Sequence, residues 1–99
     1  MRESAIRKAL KARVEAYGGE IRAVSWLGRR NAPDVLCLFP AGCKATPRWP
    51  GTHAFVETKR PDRDATEPQA REHGRMRKAG CVVMVITTIE ELDAWLPPL

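Results

Sequence analysis

Acidic and basic residues stand at the ends of two apolar segments in this 99-residue chain. Asp34 opens residues 34–39, and Glu57 and Lys59 close residues 53–59. Both segments are rich in β-branched and aromatic residues and are bounded by Pro and Gly, which predicts two strands. Because side chains alternate along a strand, Glu57 and Lys59 share one face. Charged groups at the end of an apolar hairpin are costly unless they serve a metal or a partner.

An antiparallel pairing of these two strands brings the charged residues together. The register that we expect places Phe39 beside Ala54. Asp34 then lies near Lys59, and Glu57 lies diagonally across from Asp34, about 7–8 Å away between α-carbons. Two carboxylates at that distance suit Mg²⁺ or Mn²⁺, which prefer oxygen ligands. Such a cation can lower the pKa of a water for attack on phosphorus, and Lys59 can position that water.

The composition favours a soluble protein with a polyanionic partner. The net charge is +5 and the pI is 9.6, with 43% hydrophobic and 29% charged residues. A basic chain of this kind is suited to nucleic acid. Residues 1–99 are expected to form one domain. We expect no membrane segment and a cytoplasmic location, because no apolar run approaches roughly 20 residues and no signal-peptide pattern is present.

The three cysteines do not indicate a disulfide framework or a zinc site. Cys37, Cys43 and Cys81 are odd in number and lack a C-x-x-C pair. Cysteine within an apolar strand usually behaves as a small hydrophobe.

The elements that must position the charged residues follow the order α-β-β-β-α-β-α, an α/β (α+β) arrangement. Hydrophobic periodicity, glycine stops and capping boxes mark their limits. The predicted elements are a helix from Glu3 or Ser4 to Tyr17, strands over 20–26, 34–39 and 53–59, a helix after Thr66 to about Ala79, a strand over 81–86, and a short helix after Thr88.

Basic residues lie on both sides of the first acid. Arg29 and Arg30 directly precede Pro33-Asp34, where guanidinium groups would offset repulsion between a phosphate diester and the carboxylates. Their alternative role is ordinary surface charge. The loop over 40–52 carries Lys44 and Arg48, and its Trp49 either stacks on an unpaired base or, as we expect, packs on its own sheet.

The roles of two further residues, Glu3 and Gln69, remain open on chemistry alone. Glu3 projects onto the middle of the apolar stripe of the first helix, yet near a terminus it can simply reach water. Gln69 shares a helical face with His73 and Met76, and it could be only the capping-box partner of Thr66. We expect Met76 to be a core residue and His73 to be a packed or half-exposed ring.

The ordered set of motifs resembles a known nuclease family. Pro33-Asp34 followed by Glu57-Thr58-Lys59 resembles the PD-(D/E)xK nucleases. More narrowly, residues 3–96 resemble a stand-alone virus-type replication-repair nuclease (VRR-NUC) domain. The residues that carry the narrower resemblance are Glu3, Gly18-Gly19, the basic loop into Pro33-Asp34, Phe55-Val56-Glu57-Thr58-Lys59-Arg60, Gln69 and Gly80.

The resemblance implies a restriction-endonuclease-like core, with a mixed β-sheet flanked by helices, and a Mg²⁺- or Mn²⁺-dependent endonuclease acting on DNA. It implies a role for each matched residue. Asp34 and Glu57 bind the metal with the backbone carbonyl of Thr58, Lys59 supports the attacking water, Gln69 braces the site, and Glu3 is a further catalytic and metal-binding candidate. The candidate DNA-binding residues are Arg29, Arg30, Lys44, Arg48 and Arg60.

The resemblance also suggests a homodimer that acts on branched DNA, such as a Holliday junction, in a bacterial or phage-infected cell. Ala32 replaces the glycine that commonly precedes Pro-Asp, and the loop over 40–52 is longer than the usual tight connection. The alternative hypothesis is a catalytically inactive nucleic-acid-binding module of the same fold. The complete set of Asp34, Glu57, Lys59 and Gln69 argues against it.

Overall fold

The computed structural model describes residues 2–40, 53–60 and 63–99. Its elements follow the predicted order. They are α1 (Glu3–Ala16), β1 (Glu20–Ala23), β2 (Val35–Leu38), β3 (His53–Thr58), α2 (Glu67–Lys78), β4 (Val83–Ile86) and α3 (Ile89–Trp95). The strands are shorter than the apolar segments that predict them, and β1 ends at Ala23 instead of Trp26.

The four strands form one mixed sheet in the order β1-β2-β3-β4. β1, β2 and β3 pair antiparallel, whereas β3 and β4 pair parallel. A parallel pair needs a crossover connection, and α2 provides it between β3 and β4. The predicted mixed sheet flanked by helices is therefore confirmed.

The register between β2 and β3 differs from the predicted one by two residues. Cys37, and not Phe39, lies opposite Ala54, and Val35 lies opposite Val56. Because the side-chain period of a strand is two, the same side chains still share a face. The difference moves Asp34, the residue before Val35, from the predicted position beside Lys59 to the position opposite Glu57.

Helices cover both faces of the sheet. The buried core on one face joins α1 and α3 to the sheet; it comprises Ile6, Leu10, Val14, Val35, Cys37, Phe39, Val56, Ile86, Leu92 and Leu96. α2 packs on the other face, beside β4 and the odd-numbered side chains of β3. Contrary to the prediction of a core Met76, the buried side chains of α2 are Glu72 and His73.

The capping box of α2 and the glycine pair after α1 act as the sequence predicts, whereas the predicted box at α3 is incomplete, because the Glu91 carboxyl accepts the N–H of Thr87 and not that of Thr88. The Thr66 hydroxyl accepts the Gln69 N–H, and the Thr88 hydroxyl accepts the N–H of Glu91. Gly18 has a φ of +83°, which favours glycine. A Cβ at Gly19 would lie 2.4 Å from a backbone oxygen of β2, so only glycine lets the chain pass there.

Both cysteines in the described ranges carry free thiols. Burial raises the pKa of Cys37 to about 12, so its thiol stays protonated and serves as a core side chain. Within these same ranges, none of the helices combines the length and the apolar character needed to span a bilayer.

Candidate active site

Asp34 and Glu57 lie on the same side of the sheet, at the end where β2 begins and β3 ends. Along residues 33–39 the fully buried side chains alternate with partly exposed ones, and Asp34 belongs to the second set. The strand register continues one residue beyond the Val35–Val56 pair to set Asp34 opposite Glu57. Opposed residues in an antiparallel pair have Cβ atoms about 4.5–5.5 Å apart. The two acids that the sequence singles out are therefore brought together.

The Glu57 carboxyl is the most strongly perturbed acid of this group. Its residue is 6% exposed, and its pKa is raised from 4.5 to about 7. Burial is the largest cause, followed by repulsion from Asp34, while the nearby Lys59 charge acts in the opposite direction. The negative charge of Glu3 contributes a further increase. Two acids and a lysine thus act on one buried carboxyl, which is typical of functional sites.

Gln69 contacts Glu57 and also completes the capping box of α2. Its side-chain oxygen accepts the Thr66 N–H at 2.9 Å, and its Nε2 donates to Glu57 Oε1 at 3.4 Å. The two roles that the sequence leaves open are therefore combined in one side chain. Because the cap fixes the amide orientation, the N–H₂ group is directed toward the acid.

Arg7 is a site residue that the sequence analysis does not identify. Its Nη2 lies 2.7 Å from Asp34 Oδ2, and both side chains are partly exposed. The other oxygen of the carboxylate, Oδ1, is buried without a hydrogen-bond partner in the described part of the chain. The available signal was spacing, because Arg7 follows Glu3 by one turn of α1 and so extends toward the same end of the sheet.

Glu3 and Lys59 complete the charged group. The Thr58 hydroxyl donates to Glu3 Oε1 at 3.5 Å, so the first acid of α1 reaches the end of β3 although its residue is exposed. Lys59 is half-buried, and its charge affects the pKa of both Glu57 and His73. His73 is 1% exposed, and burial lowers its pKa, as suits a packed neutral ring.

The donor set fits a hard divalent cation that retains water ligands. Asp34 offers a buried oxygen without a partner, and Glu57 lies opposite it. No cluster of three or more His, Cys, Asp or Glu side chains suited to a metal occurs within 2–40, 53–60 and 63–99. Mg²⁺ needs no such cluster, because it is commonly bound through one or two carboxylates with several waters.

A backbone oxygen at the end of β3 is a further donor for such a cation. The N–H groups of Phe55 and Lys59 bond to the β4 side of β3, so the polar backbone groups of Thr58 face β2. Two residues beyond the Val35–Val56 pair, the register sets Pro33 opposite Thr58. Proline has no N–H to donate, so the ladder supplies no donor to the Thr58 carbonyl from that position.

The predicted DNA-binding residues have different surroundings. Arg29 is 54% exposed and lies 3.3 Å from the buried carboxylate of Glu72, a second residue that the sequence analysis does not identify. Arg30 and Arg60 are exposed. Lys44 and Arg48 fall outside the described residues, as does Trp49.

The comparisons with known proteins agree with this geometry. No family model matches the chain. "Putative nuclease p44" of Acyrthosiphon pisum secondary endosymbiont phage 1 is 34% identical over 97 residues, which cover 98% of this chain and 94% of that protein. A solved structure described as "VRR_NUC domain" is similar with a TM-score of 0.77 and 35% identity, covering 93% of this chain and 90% of the other.

A mixed sheet with opposed acids at its end, followed by a lysine and flanked by helices, defines a nuclease fold of the PD-(D/E)xK type. The similarity to the phage protein and to the solved domain extends over nearly the whole chain. The chain belongs to the VRR-NUC family.

Proposed function

We propose that this protein is a DNA endonuclease that hydrolyses phosphodiester bonds with Mg²⁺ or Mn²⁺. The observation that carries the proposal is the opposed pair of Asp34 and Glu57, with Lys59 two residues beyond Glu57, directly after β3. A carboxyl whose pKa is raised to about 7 beside a second acid can give up its proton to solvent when a cation binds. The net charge of +5 supplies attraction for a polyanion around this acidic site.

The residues of the site take distinct roles in this proposal. Asp34, Glu57 and the Thr58 carbonyl hold the cation, and Glu3 assists from α1. When bound, the cation activates a water and stabilises charge that develops on the phosphate. Lys59 orients the attacking water, and Gln69 keeps the Glu57 carboxylate in place through its Nε2. Arg29, Arg30 and Arg60, with Lys44 and Arg48, contact phosphates of the DNA.

The ion pair of Arg7 and Asp34 is the observation that favours the alternative, a binding module without turnover. In such a module an arginine would simply neutralise the acid. Two features support the catalytic proposal instead. Asp34 Oδ1 is buried without a hydrogen-bond partner among the described residues, and Glu57 faces it with a raised pKa. An acid kept only as a partner for an arginine would need neither feature.

We further propose that residues 1–99 form one nuclease domain that works as a homodimer on branched DNA in a bacterial or phage-infected cell. The phage origin of p44 supports the cellular context. The match of 93% of this chain to one VRR_NUC domain supports a single domain. Preference for branched DNA is tested by comparing rates on duplex, flap and four-way-junction substrates.

The test of catalysis uses matched pairs of variants. Asp34→Asn is compared with Asp93→Asn, because Asp93 is also partly exposed and paired with an arginine of α1, at 2.8 Å. Lys59→Ala is compared with Lys78→Ala, an exposed lysine in the last turn of α2. Cleavage of labelled DNA is followed with Mn²⁺, with Mg²⁺ and with EDTA, and DNA binding is measured in parallel.

We expect Asp34→Asn and Lys59→Ala to abolish cleavage while DNA affinity stays within a few-fold of the parent. Chelation should do the same to the parent protein, and both control variants should cleave normally. Cleavage by Lys59→Ala at the parental rate would contradict the role of the lysine. Cleavage in EDTA would contradict the metal requirement.

A further inference from the structure

Glu72 is a buried acid that the proposed catalytic mechanism does not use. It lies on α2, is 4% exposed, and follows Gln69 by three residues. A carboxylate removed from water is costly unless charged partners surround it. The reason for its retention should therefore lie in the groups that it contacts.

Two arginines from separate elements share this carboxylate. Arg75 Nε and Nη2 donate to Glu72 Oε1 at 3.0 and 2.7 Å, and Arg29 Nε lies 3.3 Å from Oε2. Arg75 belongs to α2, whereas Arg29 belongs to the segment between β1 and β2. One acid thus holds two positive charges side by side, which would repel each other without it.

Both guanidinium groups keep donors for another partner. The side chains of Arg29 and Arg75 are 54% and 56% exposed, and a guanidinium carries five N–H donors. Within the described residues, Glu72 is the acceptor recorded for either arginine. The remaining N–H groups of two adjacent arginines match the oxygens of a phosphate, which arginine commonly binds through two parallel contacts.

The arginine pair is linked to the proposed catalytic acids through α2 and through the segment that leads into β2. Gln69 donates to Glu57, and Glu72 is three residues further along the same helix, a rise of about 4.5 Å. Residues three apart lie on neighbouring parts of one helical face. Arg29 precedes Asp34 by only five residues. A DNA strand with one phosphate at the acids would therefore pass the arginine pair.

We propose that Glu72 is a positioning residue that holds Arg29 and Arg75 as one paired contact for a single DNA phosphate flanking the scissile one. The inference rests on the proposed nuclease function for its substrate, and it adds a role for Glu72 and Arg75. The effect on DNA affinity that this role predicts for the loss of Glu72 is opposite in sign to the effect that simple electrostatics predicts. Loss of a negative charge near DNA should strengthen binding, whereas loss of a positioning acid should weaken it.

The experiment measures binding of a labelled duplex by fluorescence anisotropy in EDTA, at several salt concentrations. Glu72→Gln removes the charge but keeps the shape, and Glu67→Gln is the matched control. Glu67 also lies on α2 and pairs with an arginine, at 3.7 Å, but its side chain is 88% exposed. We expect Glu67→Gln to bind as tightly as the parent or more tightly. We expect Glu72→Gln to bind about tenfold more weakly, the effect of one charged hydrogen-bonded contact.

The two arginines test the shared phosphate directly. Each neutralised phosphate contributes about 0.9 to the slope of log affinity against log salt. Arg29→Ala combined with Arg75→Ala should flatten the slope by about one, because both residues contact one phosphate. An unchanged slope would show that they contact none and would overturn the proposal. A flattening near two would indicate separate contacts and overturn the proposal. Circular dichroism is used to check that Glu72→Gln folds. If it does not fold, the salt dependence of the double variant provides the test of the proposal.

Equal or tighter binding by folded Glu72→Gln would also overturn the proposal. Binding in EDTA does not depend on turnover, so the outcome is separate from the nuclease assay. A parent protein that binds DNA but cuts none would contradict the proposed function without changing the predicted order of affinities.

Discussion

Replacement of Glu57 by glutamine should remove a specific pH dependence of folding stability in the metal-free protein. The pKa of this carboxyl is about 7 in the folded chain, against 4.5 for an unperturbed glutamate. The folded state therefore binds the Glu57 proton more tightly than the unfolded state does. Stability from this group is fully present below pH 4.5 and is lost as the pH rises through 7.

The magnitude follows from the difference between the two pKa values. Each pKa unit corresponds to about 1.4 kcal/mol, so the parent should lose about 3 kcal/mol of unfolding free energy between pH 4.5 and pH 8 through Glu57. Small domains have only about 5–15 kcal/mol in total, so the loss is large enough to measure. Glutamine has no proton to lose, and Glu57→Gln should lack this component.

The assay is urea unfolding of both proteins in EDTA at several pH values. Burial lowers the pKa of His73, so this residue acts with the opposite sign and costs stability as the pH falls below 6.5. His73 is present in both proteins, so its effect cancels when the two stability profiles are subtracted. The quantity to examine is therefore the difference between Glu57→Gln and the parent at each pH.

Parallel stability profiles for the two proteins from pH 4.5 to pH 8 would refute this reasoning, because Glu57 would then titrate alike in both states. Addition of Mn²⁺ gives a second check. A cation favours the ionised carboxyl, so it should stabilise the parent most at pH 8 and least at pH 5. It should stabilise Glu57→Gln much less.

Two other changes give matched comparisons. Arg7→Ala should tighten Mn²⁺ binding about fivefold in a calorimetric titration, because the guanidinium charge no longer offsets the charge of the aspartate beside the cation. Arg13→Ala, which breaks the similar pair with α3, should not. Thr66→Ala and Thr88→Ala should each cost about 1 kcal/mol in urea unfolding by removing a helix cap. Only Thr66→Ala should also slow cleavage, because Thr66 caps the start of α2, where Gln69 is oriented. Equal slowing of cleavage by both substitutions would contradict this link.

The order of elements was predictable because each one carries a local signal. Both capping boxes, the glycine pair after α1 and the periodicity of α1 depend on residues close in sequence. The pairing of β2 with β3 also follows from their closeness along the chain. The exact register of β2 and β3 does not follow, because the long segment of sequence between them carries no signal that fixes their alignment. Alternation nevertheless kept Asp34 and Glu57 on one face, which is what the site requires.

The charged partners of the site were less predictable because their contacts join distant residues. Arg7 resembled the basic, solvated side of α1, yet it reaches Asp34, 27 residues away. Glu72 and Arg75 form a recognisable pair three residues apart, but burial of the acid depends on packing that α2 acquires only in the folded chain. Local patterns identify such residues as charged, and only the fold determines which charges are desolvated.

The negative charges of Asp34 and Glu57 are reduced in different ways, and this difference determines how a cation can bind. Arg7 pairs with Asp34 at 2.7 Å, while the raised pKa of Glu57, about 7, leaves this carboxyl partly protonated near neutral pH. A cation that binds there must therefore compete with the positive charge of Arg7 beside Asp34, and the Glu57 carboxyl must release a proton. The two events are coupled, because the charge of Arg7 also lowers the pKa of Glu57. Arg7→Ala frees Asp34 but makes Glu57 harder to ionise. Its gain in Mn²⁺ affinity should thus be greatest at pH 8 and should shrink toward pH 6, whereas a gain independent of pH would show that the acids act separately.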